Sequence, residues 1–347
     1  MRGPGPVAPG VMNIYQRTEE IKMTKGPASY GLRVAMAAAI SLLGSLSAQT
    51  DTPLSQTAAA INTVGYEDSP YLSPDGTHLY FMYTPYTTWP VFYGQSPVLI
   101  GPERLGHHIN RTSAWEDTDI YVATLDNGVW STPRNLGFND DQADCCAMTW
   151  DHRLFAYQRT QRPSTALTDL YFVRLEAGRW IKTNAGPAVN LATSSESNPH
   201  LTADGRALFF SSNRPGGFGK MDLYVSYRGT DGSWLAPQNL GPAVNTLENE
   251  DQIWLSRDTR TMYFSRDPGP HNLRSTWSKH SGWSAPEPVL HAGRVVAGAE
   301  VSLNDDQTVM VFAEVRPDLE DLVLVYSVRQ LDGSWSAARP ILSSFQD

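Results

Sequence analysis

Carboxylates recur in this chain at regular intervals. Asp144, Glu196, Glu250 and Glu300 are 52, 54 and 50 residues apart, and the pair Glu67-Asp68 precedes them. Each stands just ahead of a short aliphatic or aromatic run. Two carboxyl groups on opposite sides of a sugar bond are what glycoside hydrolysis requires, with one kept protonated by its surroundings. Arg159, Arg214 and Arg266 fall near the ends of the runs that follow, and Trp89, Tyr93 and Trp115 could stack on a sugar ring through their apolar faces. The same recurrence equally fits carboxylates that bind a neighbouring Arg or backbone amides as part of a repeat.

Other chemistries find little support. Ser211-Ser212 lies in no Gly-x-Ser-x-Gly elbow. The run Gly216-Gly217-Phe218-Gly219 lacks both a strand–helix context and a Lys-Ser/Thr end, so it reads as a hairpin loop and not as a phosphate cradle. His107-His108 offers ligands for zinc or copper, but adjacent histidines in an exposed loop are usually just solvated. The remaining histidines show no ligand spacing, so no metal set is assigned. Calcium is a candidate occupant of a carboxylate ring, and no other cofactor is expected.

What must position these groups is a repeat. Gly-x-Trp segments, or Gly-Trp in the fourth, centre on Trp130, Trp180, Trp234, Trp283 and Trp335, at intervals of 50, 54, 49 and 52 residues. Upstream of each lies an opening run, clearest in Glu67-Asp-Ser-Pro-Tyr-Leu72, Glu196-Ser-Asn-Pro-His-Leu201 and Glu250-Asp-Gln-Ile-Trp-Leu255. Turns such as Asp75-Gly76 and Asp204-Gly205 follow, then a third run in Asp119-Ile-Tyr-Val, Asp169-Leu-Tyr-Phe and Asp222-Leu-Tyr-Val. An isolated four-stranded antiparallel sheet cannot bury both faces, so it needs copies of itself. The expected fold is all-β, a five-bladed β-propeller of four-stranded antiparallel blades. Blades are expected at about 61–137, 138–190, 191–245, 246–289 and 290–347. An insertion of about thirty residues, 84–116, enlarges the first and is rich in aromatic residues and Pro.

The Ser73-Pro-Asp-Gly76 turn, the Ser211-Ser-Asn-Arg-Pro-Gly-Gly217 run and the Asp222-Leu-Tyr-Val strand resemble the TolB-like Pro-Asp (WD40-like) propeller repeat of exported bacterial proteins. The resemblance covers about Ile61 to Ile341 and specifies fold better than function, since such repeats serve as protein-binding platforms and as shells around enzyme sites. The six blades and separate N-terminal domain of TolB itself find no counterpart here. Five-bladed glycosidases place a general base, a pKa modulator and a general acid on different blades. By that resemblance Asp68, Asp144 and Glu196 take comparable places.

The first 48 residues read as a secretory signal peptide with a long basic region. Lys22, Lys25 and Arg33 precede the apolar run Val34–Leu46, and small residues follow. Translation could begin at Met12 or Met23, and residues 49–60 form a linker. Removing residues 1–48 takes the basic residues from 27 to 22 and the acidic from 36 to 34, a balance of −12. An acidic exported chain is a poor partner for nucleic acid or an anionic membrane, and no membrane insertion is expected once the leader is gone. Cys145 and Cys146 are adjacent, open to a strained vicinal disulfide or to two buried thiols.

These readings converge on a periplasmic or secreted propeller. Its acidic channel mouth, edged by Glu67, Glu250 and Glu300 with Arg159, Arg214 and Arg266, binds a glycan or an envelope protein under the insertion carrying Trp89, Tyr93 and Trp115. Glycoside hydrolysis through Asp68, Asp144 and Glu196 is the alternative.

Overall fold

The structure, a computed structural model, describes residues 54–87, 96–104, 118–139, 144–160, 167–267, 272–316 and 319–342, the side chains of Asp144 and Cys146 excepted. The expected leader and the residues Trp89, Tyr93, His107, His108 and Trp115 lie outside them. The described residues form five antiparallel sheets of four or five strands, a two-stranded ribbon in the insertion, and no helix. The inner strands are Tyr66–Leu72, Asp144–Thr149, Glu196–Leu201, Asn249–Leu255 and Gly298–Leu303. Each pairs with a second strand, which pairs with a third, which carries one or two short outer strands around the Trp segment. Each inner strand packs against those of its two neighbours, and that of blade 1 touches both blade 2 and blade 5. The ring is therefore a closed five-bladed propeller.

Blade seams are made by the recurring aromatic residues. Trp234 of blade 3 stacks on Phe172 of blade 2 at 5.7 Å, and Trp180 of blade 2 packs edge-on to Phe138 at 5.3 Å, its indole N–H on the Leu136 carbonyl. Truncating such a Trp to Ala would cost about 3–5 kcal/mol.

A second seam is polar and repeats with the sequence. The Asp opening the third strand accepts a hydrogen bond from an outer-strand Asn: Asn135 to Asp119, Asn184 to Asp169, Asn239 to Asp222. That Asn in turn accepts one from a lead-in Asn of the next blade, Asn139, Asn190 or Asn245, which also pairs with the N–H and C=O of Ile120, Leu170 or Leu223. Asn62 does the same across the ring. It receives the Leu324 N–H at 2.8 Å and donates to the carbonyls of Leu324 and Ile341 at 3.0 and 2.9 Å. Among the described residues no strand is shared by the first and last blades; they are joined by this asparagine, by the Ser69 and Leu72 N–H groups donating to Glu300 and Ser302, and by the Asp305 N–H donating to the Pro74 carbonyl.

Four inner strands carry a residue at positive φ in their middle: Ser69 (52°), Asn198 (48°), Gln252 (58°) and Glu300 (62°). Register shifts flank each one, so each of these four strands is bulged there.

Candidate functional site

The start of each inner strand meets the end of its second strand at one face, the channel mouth. The register pairs Glu67 with Tyr83, Asp144 with Arg159, Glu196 with Ser212, Glu250 with Arg266 and Gly298 with Glu314.

Three of the acids expected there form one device. Glu196 accepts from the Leu191 N–H, the hydroxyls of Ser194 and Ser212, and Arg214, whose guanidinium is 3.1 Å away. Arg214 also donates to the Val189 carbonyl and stacks on Phe210 and Tyr224 at 5.0 Å each. Glu250 accepts from the N–H and hydroxyl of Thr246 and from Arg266 at 2.7 Å, and Arg266 donates to the Val244 carbonyl. Glu67 accepts from the N–H and hydroxyl of Thr63 and from Arg104 at 3.1 Å. All three carboxylates are 0% exposed. Burial pushes each above the usual carboxylate range, while the hydroxyl, amide and guanidinium donors pull the other way. Both oxygens of each are committed to holding the lead-in loop. In Glu196, Oε1 takes three of these bonds and Oε2 takes the one from the Leu191 N–H.

Blade 1 builds its clasp differently. Tyr83 stands where Arg266 stands in blade 4, and the guanidinium comes from Arg104, inside the insertion. Arg104 is 2% exposed, donates to the carbonyls of Ala58, Ala60 and Ile61, and lies 4.4 Å over Tyr83. Nearby, Gly101 packs against Gly65, where an added Cβ would meet the Gly65 Cα at 2.7 Å. The insertion is thus fastened at the mouth. Its ribbon, Tyr86–Thr87 with Val98–Leu99, presents Val98, Leu99 and Ile100 at 49, 55 and 49% exposure.

Glu300 is not at the mouth. Gly298 takes the strand-start position in blade 5, and Glu300 falls at the bulge, inside the channel. There it accepts from Gln252 Nε2 at 2.7 Å and from the Ser69 N–H, and shares a hydrogen bond with Asp68. Asp68 is held by the Tyr66 hydroxyl at 2.9 Å and the Ser69 N–H at 2.8 Å. Burial and then the Asp68 charge push Glu300 well up, and burial raises Asp68, so the protonated forms are favoured where blades 1 and 5 meet. The chain of bonds continues as Gln252 N–H and Asn198 Nδ2 both donate to Asp251, at 2.9 and 2.6 Å. Cys145 is a buried free thiol, 3.1 Å from the Ser69 hydroxyl.

The cavity beneath, lined by Ser69, Asn198, His200, Gln252, Trp254 and Glu300 among others, holds about 50 Å³. His200 faces it with Nε2 unpartnered, and burial holds that imidazole neutral, its pKa lowered to about 3. Ligand pockets run to roughly 300–1,000 Å³, so this space admits water and not a sugar ring.

Asp144 and Arg159 are cross-strand partners in blade 2, and Arg159 lies 5.5 Å over Tyr171. Sequence reasoning missed Arg104, Asp251 and the bulge residues Ser69, Asn198 and Gln252. Pro70 and Pro199, each inside an inner strand, were the available signal, because Pro within a sheet interior marks a bulge. The Gly-rich loop turns its amides inward, the Phe218 and Gly219 N–H groups binding Asp222.

No family model matches the chain, and no curated protein matches it. Among solved structures it is similar to TolB from Acinetobacter baumannii (14% identity, TM-score 0.45), covering 81% of this chain and 58% of that one. The chain therefore spans a little over half of that protein's length. It is also similar to a putative TolB from Agrobacterium tumefaciens (14% identity, TM-score 0.46, 82% and 84% covered). A thermostable family-43 glycoside hydrolase matches at 11% identity and TM-score 0.48, with 82% and 96% covered. At these identities the likeness concerns the fold alone.

Proposed function

We propose that this chain is an exported, non-catalytic propeller that docks a protein of the cell envelope at its channel mouth. Export rests on the basic and apolar N-terminal pattern around Lys22 to Leu46. The observation that carries docking is the insertion ribbon, fastened through Arg104 to Glu67 and turning three consecutive aliphatic side chains to solvent. Contiguous exposed apolar groups on a rigid support mark interaction surfaces. Aliphatic groups suit a protein surface better than a polar glycan. Against hydrolysis stand the engaged oxygens of Glu196 and the small channel cavity.

One observation favours the second reading, glycoside hydrolysis. Asp68 and Glu300 are carboxyls of different blades brought side by side with their pKa values raised, although their hydrogen bond holds them closer than the roughly 5–9.5 Å that glycosidases keep between theirs. The two readings part in one comparison. The secreted chain and a V98S/L99S/I100S variant are cross-linked to envelope proteins, and the unaltered chain is screened on a glycan array and glycoside substrates. Docking predicts a defined protein adduct lost in the variant, with no turnover. Hydrolysis predicts turnover abolished by D68N or E300Q and untouched by the ribbon substitutions.

A further inference from the structure

On the face opposite the mouth, the hairpins joining inner and second strands bring together three groups that the sequence separates. Asp75 and His78 belong to blade 1 and His152 to blade 2, and their ligand atoms all lie within 4.8 Å of one another. We propose that Asp75, His78 and His152 form a zinc site that ties blade 1 to blade 2.

Each of the three has one atom engaged by the protein and one left over. Asp75 Oδ1 caps its own turn, accepting from the Ser73 hydroxyl at 2.5 Å and the Thr77 N–H at 3.0 Å. That fixes the carboxylate and leaves Oδ2, which stands 3.8 Å from His152 Nε2. His78 Nδ1 is bonded to the Thr77 hydroxyl at 2.8 Å, and His152 Nδ1 to the Tyr80 hydroxyl at 2.7 Å. With the ring proton on Nδ1 in both, both Nε2 atoms are bare. A metal-ligating His usually has its other nitrogen hydrogen-bonded in this way, which sets tautomer and ring orientation. The two imidazoles lie 4.3 Å apart, centroid to centroid.

Two imidazoles and one carboxylate match a zinc site with its fourth position open to water. Bond lengths of about 2.0–2.2 Å put tetrahedral ligand atoms roughly 3.3 Å apart, so the side chains must close by about an ångström. Asp75 and His152 keep 55% and 32% of their side chains in solvent, which leaves room for that movement and a path for the ion. His152 stands in its turn at a φ of 59°, where blades 1 and 3 place Gly76 and Gly205. Glycine would meet that conformation at lower cost without offering a ligand.

The test uses the full mature chain, freed of metal by a chelator and titrated with Zn2+ by calorimetry. The proposal expects one saturable equivalent, weakened at least tenfold by H78Q, H152Q or D75N and unchanged by H107Q/H108Q. In the unaltered protein, bound zinc must shield His78 and His152 from acylation by diethylpyrocarbonate while the exposed His280 continues to react. Absence of saturable binding, binding unaffected by H78Q/H152Q, or acylation of both histidines at saturating zinc would each overturn it. The shielding measurement decides the matter even if the substituted chains fail to fold.

Discussion

Arg104 reaches Glu67 at 3.1 Å from within the first-blade insertion, and so fills the place that Arg214 and Arg266 hold toward Glu196 and Glu250 in blades 3 and 4. The insertion is part of the repeat's own clasp and does not merely hang from it. Because Glu67 is 0% exposed, removing its cation leaves a buried charge alone, which costs about 3–5 kcal/mol. R104A should therefore lower the melting temperature and open residues 84–116 to limited proteolysis, while R174A, an exposed pair with Glu176, should change neither.

Ring closure gives a second expectation. Asn62 satisfies the Leu324 N–H and two carbonyls of blade 5. N62A strips these partners from buried backbone groups, at about 1–3 kcal/mol for each group left unsatisfied. Hydrogen exchange should then rise first at Leu324 and Ile341, at the junction of blades 1 and 5. Exchange that rises equally in all blades would show that the closure lies elsewhere.

The channel acids set the pH dependence. Glu300 titrates well above its unfolded value because burial and then the Asp68 charge disfavour its charged form, and burial raises Asp68 beside it. Between the unfolded carboxyl pKa of about 4.3 and the raised folded value, the unfolded chain has lost protons that the folded chain retains. Stability must fall as pH rises through that window. E300Q keeps the hydrogen-bonding shape without the titration, so denaturant midpoints between pH 5 and 8 should flatten in this variant and gain at the upper end.

Much of the fold was legible because it rests on short-range chemistry. The Trp segments, the Asp-Leu-Tyr strands and the Asp-Gly turns each satisfy a local need, and five copies of the Trp-centred unit point to a ring. The sequence Val244-Asn-Thr246 matches Ile61-Asn-Thr63, and in the structure those asparagines clasp neighbouring blades. The site was less legible because it depends on register. Glu300 resembles Glu67 in sequence yet sits two residues beyond the strand start, so it faces the channel and Gly298 faces the mouth. Arg104 could not be found by its spacing, since an insertion carries it. His78 and His152 are brought together by blade packing alone, with no shared motif.

The account's central claim is that the mouth glutamates hold the scaffold together and do no chemistry. The most direct measurement is the melting temperature of Glu196→Gln beside a glycoside substrate screen of the unaltered chain. Loss of the charge facing Arg214, which keeps only 8% of its side chain in solvent, should cost about 3 kcal/mol. For a domain of this size that is a fall of roughly 6–12 °C, with no substrate turned over by either protein. A melting temperature unchanged by the substitution, together with a glycoside cleaved by the unaltered chain and spared by the variant, would contradict it.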